Sequence, residues 1–124
     1  MDLTQFIESN IGKSYIWGTN DCFMLICKYL NAGHNHYGKY KTLKGALSYY
    51  KKHASELDEY IKSQGYYKVG VNFANDGDLV KINGIPFDSW GIFYKRKMLI
   101  ANETKGVQLE NIKNNSYYSI FRKH

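Results

Sequence analysis

The stretch Tyr15–Leu30, YIWGTNDCFMLICKYL, constrains this chain more than any other part of it. An extended aromatic piece (Tyr15, Ile16, Trp17) runs through Gly18 into a helix that carries Cys22 in its first turn. Phe23, Leu25, Ile26, Cys27, Tyr29 and Leu30 leave that helix little polar face, so it is buried on most sides and the remaining chain must wrap it. Thr19 or Asn20 is the predicted N-cap. Asp21 falls where the positive end of the helix dipole favours a carboxylate. The same position tends to lower the pKa of a thiol, which makes Cys22 a candidate nucleophile. A small, buried apolar cysteine satisfies the position equally well.

The segments around this helix predict an α+β chain. Residues 2–11 read as a first helix with a capping box at Asp2 and Gln5, and with Leu3, Phe6, Ile7 and Ile11 on one face. After the cysteine helix, Gly33 is a stop and Ala32–Gly38 a polar loop. Thr42 starts a third helix with Leu43, Ala46, Leu47 and Tyr50 at i, i+3, i+4, i+7. Ser55 and Asp58 suggest caps for a fourth, with Leu57, Tyr60 and Ile61 inward and Gly65 as its end. From Tyr66 the composition shifts to β-branched and aromatic residues. A linker at 70–77 is expected, then strands near 78–83, 89–95, 98–103, 106–110 and 117–122. Asn83-Gly84 with Pro86, Lys95 to Lys97, and Lys105-Gly106 mark the turns. Helices followed by an antiparallel meander make one α+β domain over residues 1–124, helical to about 65 and β from about 78 to 122.

A chain of 124 residues holds one core, not two. No segment approaches a membrane span, and the start MDLTQFIESN has no basic or apolar signal region, so no secretion signal is expected. Cys22 and Cys27 lie five apart on one helix, neither a redox pair nor a zinc knuckle, which points away from a disulfide and toward a cytoplasmic folding compartment. His34 and His36 form an H-N-H in a loop with no third ligand in view; solvated loop histidines are expected, with no metal and no cofactor. The net charge of +6 divides as +2 over residues 1–62 and +4 over 63–124. Such an excess can draw the chain to an anionic surface, but no nucleic-acid motif accompanies it.

The pattern Y-x-W-G-x-x-D-C opening an apolar helix resembles the active-site start of the NlpC-like branch of the papain-like cysteine peptidases. The resemblance makes Cys22 the match to the family nucleophile, Tyr15 the match to the tyrosine beside the thiol, and Asp21 the match to the preceding acid. Phe23 and Met24 stand where that family usually has Ser-Gly. Asn75-Asp76-Gly77-Asp78-Leu79-Val80 resembles its G-D-[LV]-[LV] strand, Ser89-Trp90-Gly91-Ile92-Phe93 its H-V-G-I-Y strand, and Thr104-Lys105-Gly106-Val107-Gln108 its following G-V strand pair. Collinearity from about Leu3 to Phe121, the short length and the closing aromatic strand resemble a small group encoded in tailed phages and prophages.

A cysteine peptidase needs a base within reach of the thiol, usually an oriented histidine. The position matching the family histidine is Ser89, whose hydroxyl cannot take a proton near neutral pH. Asp88 is adjacent, but neighbouring strand residues point to opposite faces, so only one of the two faces Cys22. Asn102 or Glu103 would supply the third polar group. His34 and His36 lie roughly 15–18 Å away along the cysteine helix, whereas His53, at the end of the third helix, stays open as a base. His124 is terminal.

Three functions follow. The first is a phage virion or tail-associated protein with an NlpC-like fold, hydrolysis weakened or lost, made in the host cytoplasm and incorporated among other tail proteins. Twelve tyrosines, more than one small core buries, suit an assembly surface; the pairs Tyr49-Tyr50, Tyr66-Tyr67 and Tyr117-Tyr118 should each place one ring outward. The second is an active cysteine peptidase or amidase cutting peptidoglycan stem peptides through Cys22, with Tyr15 supporting the oxyanion and His53 or Asp88 as base. The third is a small host-directed binding protein whose papain-like order is coincidental.

Overall fold

The computed structural model describes residues 2–84, 88–112 and 117–124. Among them three α-helices pack on a six-stranded sheet whose pairings are all antiparallel. The helices are α1 (Leu3–Asn10), α2 (Cys22–Tyr29) and α3 (Leu43–Ser63). The strands are β1 (Tyr66–Val69), β2 (Leu79–Ile82), β3 (Ser89–Tyr94), β4 (Lys97–Asn102), β5 (Gly106–Asn111) and β6 (Tyr118–Lys123). The α+β class is as expected. No helix among the described residues is long and apolar enough to cross a membrane.

Local signals place the helix starts. The side chain of Asp2 accepts from Gln5 N–H while that of Gln5 accepts from Asp2 N–H, the reciprocal box at the head of α1. Thr42 Oγ1 accepts from Gly45 N at the head of α3. Phe6 and Ile7 of α1 are buried, but Ile11 lies past the helix end and is exposed; Asn10 is buried instead, its amide donating to the Phe6 carbonyl.

Two helices were expected where α3 runs unbroken for 21 residues. Ser55 and Asp58 do not cap a fourth helix. They lie on its exposed face, and Asp58 pairs with Lys81 at 3.1 Å. With no proline and no glycine between Gly45 and Gly65, nothing in the backbone stops the helix there. Ala46, Tyr50, Leu57 and Ile61 form its buried stripe, while Leu43 and Leu47 are exposed. His53 therefore sits mid-helix, not at a helix end.

The sheet order is β1-β6-β2-β3-β4-β5. β2 to β5 form the expected meander, but β6 returns across the sheet and inserts between β1 and β2. β1 was missing from the sequence reading, which began its strands at 78. The β3–β4 turn is the predicted one: Lys95 and Arg96 both take positive φ (50° and 65°), as a two-residue hairpin turn demands. The predicted turn at Asn83-Gly84 with Pro86 lies partly outside the described residues.

Alternation along the strands separates two clusters. Leu79, Trp90, Ile92, Leu99 and Ala101 face the helices and meet Phe23, Leu25 and Ile26 of α2. Val80, Met98 and Ile120 gather on the opposite face with Phe93 and Ile100. α2 lies over β3 and β4, and this brings the head of α2 to the start of β3.

Two of the tyrosine pairs place one ring outward as expected; Tyr49-Tyr50 does not, because Tyr49 packs against the core and meets His36. Tyr50 is buried beside a half-buried Tyr49, and Tyr67 and Tyr117 are exposed beside half-buried Tyr66 and Tyr118.

Candidate functional site: the Cys22 cleft

Cys22 is the first residue of α2, and the N-cap is Asp21 rather than Thr19 or Asn20. Asp21 is fully buried. One carboxylate oxygen accepts from Met24 N at 2.8 Å; the other accepts from Gly18 N at 2.8 Å and from the Tyr40 hydroxyl at 2.6 Å. Asp21 is thus spent on holding the helix head. Gly18, at φ +84°, is part of the same lock: a Cβ there would lie 2.0 Å from the Tyr40 carbonyl oxygen.

Three hydroxyls surround the thiol. Ser89, Tyr15 and Tyr50 each hydrogen-bond to Cys22. The oxygen of Tyr15 also accepts from the Cys22 backbone N–H, and its ring packs edge-on against Trp17 at 4.8 Å. The Tyr50 and Tyr40 hydroxyls lie 2.9 Å apart, so one polar chain runs from the thiol through Tyr50 and Tyr40 to Asp21.

The electrostatics reverse the expectation of an activated thiol. Burial, and behind it the negative charge of Asp21, push Cys22 up to about 11; the hydroxyls around it, Ser89 first, oppose this without overcoming it. At neutral pH the sulfur is a thiol. Burial likewise raises Cys27, to about 12, and both cysteines are free.

A cleft of about 520 Å³ opens beside Cys22. Tyr15 and Trp17 form an aromatic wall, Leu43, Ile82, Met98 and Ile100 supply apolar surface, and Glu103 and Glu110 add carboxylates. None of the described residues lining it is a histidine.

Of the residues singled out in the sequence, Cys22, Tyr15 and Ser89 come together. Asp88 does not join them: its carboxylate accepts from Gly84 N at 3.2 Å, lies 3.6 Å from Lys81 Nζ, and borders a separate hollow with Phe23 and Trp90. His53 is held by Glu56 and stacks on Tyr49, away from the cleft lining. Asn102 lines the cleft, but its amide is engaged in the β4–β5 turn, accepting from Thr104 N and Lys105 N at 2.9 Å each and donating to Glu110. Tyr40, Tyr50 and Glu110 escaped the sequence reading. Tyr50 carried a helix-core signal and Glu110 an ordinary strand alternation, and neither pattern points to a thiol 28 residues before Tyr50.

A family model described as a domain of unknown function, DUF6950, matches residues 1–122. The chain belongs to this family. No curated protein matches the sequence. For this DUF6950 domain, the chemistry on offer at the cleft is recognition by aromatic, apolar and carboxylate groups around a protonated, hydroxyl-bonded thiol.

Proposed function

We propose that this DUF6950 domain is a degenerate NlpC-like domain that works through its cleft and surface rather than by hydrolysis, as a component of a phage virion or tail. The observation that carries the reading is the set of groups on the thiol: the hydroxyls of Ser89, Tyr15 and Tyr50 meet it, and none of them is a base at neutral pH. Loss of one member of a nucleophile–base unit removes most of the rate, on the order of 10⁴-fold or more. The cysteine helix packed on an antiparallel sheet supports NlpC-like descent over an unrelated host-directed binding protein. The virion setting rests on the resemblance to phage-encoded members of that superfamily and on the exposed tyrosines.

The rival reading, an active peptidase or amidase on peptidoglycan stem peptides, has one observation behind it: Cys22 heads a helix at the wall of a cleft large enough for a peptide. The two readings separate cleanly. The full chain is incubated with stem peptides, and products are read by mass spectrometry beside the Cys22→Ala variant. Equal, blank-level product from both is expected, and turnover that depends on Cys22 would overturn the proposal. Mass spectrometry of purified particles tests the virion setting: the chain should co-purify with tail proteins, and its absence from otherwise complete particles rejects that role.

A further inference from the structure

A second cluster of chemistry-bearing side chains lies outside the cleft lining. His53 and Glu56 are three residues apart on α3, which places them one above the other on a single helix face. His36 reaches them from the 3-10 turn His34–His36 in the connection between α2 and α3. His53 Nδ1 lies 3.0 Å from Glu56 Oε1, His36 Nε2 lies 3.7 Å from Glu56 Oε2, and all three ligand atoms fall within 4.8 Å of one another. His36 is buried, not the solvated loop histidine expected from its sequence.

We propose that His36, His53 and Glu56 bind a divalent transition ion of the zinc type. Two imidazoles and one carboxylate are a zinc donor set, and ligand bonds of about 2.0–2.2 Å in a tetrahedron put donor atoms about 3.3 Å apart. The two imidazole–carboxylate separations straddle that value, and the two imidazoles, within 4.8 Å of each other, need to draw together at most about 1.5 Å to complete the set.

The surroundings orient the donors. The Nδ1 of His36 is engaged by the Tyr49 hydroxyl, which leaves Nε2 directed at Glu56. A partner behind the ring in this way holds the orientation of a metal-ligating histidine, and with Nδ1–H donating to the hydroxyl oxygen the Nε2 lone pair is free for an ion. The ring of His53 stacks on Tyr49 at 4.2 Å, and that of His36 stands edge-on to Phe23 at 5.3 Å. An ion pair would need one imidazole and one carboxylate; here a second imidazole converges on the same carboxylate. The half-exposed Glu56 leaves a fourth position open to solvent. A bound ion would tie the α2–α3 connection to the middle of α3.

The test uses the full chain without an affinity tag, stripped with chelator and titrated with zinc chloride by calorimetry and with cobalt(II) by visible absorption. One ion per chain is expected, with the intense cobalt bands of a four-coordinate site. His53→Ala and Glu56→Gln, both at positions not fully buried, should retain the native circular dichroism and each weaken binding at least tenfold. Tyr49→Phe should weaken it roughly tenfold, the usual effect of losing a partner behind a ligand. No saturable binding at millimolar zinc would overturn the proposal. So would stoichiometric binding unchanged in both His53→Ala and Glu56→Gln, which would assign the ion to other groups.

Discussion

The hydroxyl of Ser89, first residue of β3, donates to the thiol of Cys22, first residue of α2. A hydroxyl can stabilise a thiolate by donation but cannot accept the proton that creates one near neutral pH. The pair therefore keeps the approach of strand to helix head without proton transfer.

Alkaline stability should expose this. The folded chain holds the Cys22 proton to about 11, above the ordinary thiol value. The unfolded chain releases it first as pH rises, so bound protons in the native state exceed those in the unfolded state and stability falls with pH. The contribution is fully present below about pH 8.5 and is lost as pH climbs toward 11, amounting to a few kcal/mol. Urea melts of the wild-type chain and of Cys22→Ala between pH 8 and pH 10.5 should show a smaller pH slope in the variant; equal slopes would refute it.

Replacing Ser89 by histidine should place an imidazole against the sulfur. In Ser89→His, with Cys27→Ser to isolate one thiol, alkylation of the folded protein at pH 7.5 should rise roughly tenfold or more over the Ser89 parent. An unchanged rate would mean that the ring cannot reach Cys22 from that position.

Asp21 holds three donors with one carboxylate. Asp21→Ala loses the N-cap, strands the buried Gly18 N–H and leaves the Tyr40 hydroxyl with Tyr50 alone, a cost of about 2 kcal/mol or more. Asp21→Asn keeps an acceptor and should cost less. Because the charge of Asp21 helps hold the thiol proton, the asparagine variant should also lower the Cys22 pKa. Urea denaturation gives the first quantity and the pH dependence of alkylation the second.

What the sequence disclosed was local. The Asp2–Gln5 box, the Thr42 cap and the Lys95-Arg96 turn depend on neighbours within a few residues, and each appears where its chemistry put it. Ser55 and Asp58 misled because residues that favour caps are also tolerated on the solvent face of a long helix. β1 was hidden because its pairing partner is the last strand, Tyr66 opposite Lys123, and a four-residue segment carries little periodicity of its own. Tyr15, Cys22 and Ser89, singled out through the resemblance, are neighbours at one cleft. It could not show that Tyr50 would complete the ring of hydroxyls, nor that His36 would be buried against Phe23, since both depend on where α3 lies.

Tyr49 and Tyr50 are consecutive, yet their hydroxyls end at different destinations: one at His36, the other at Cys22. About 100° of helical turn separates them, and the helix beneath is continuous for 21 residues. α3 thus carries both contacts on one unbroken element. Where that helix lies therefore sets both contacts at once, the one on the thiol and the one on the histidine.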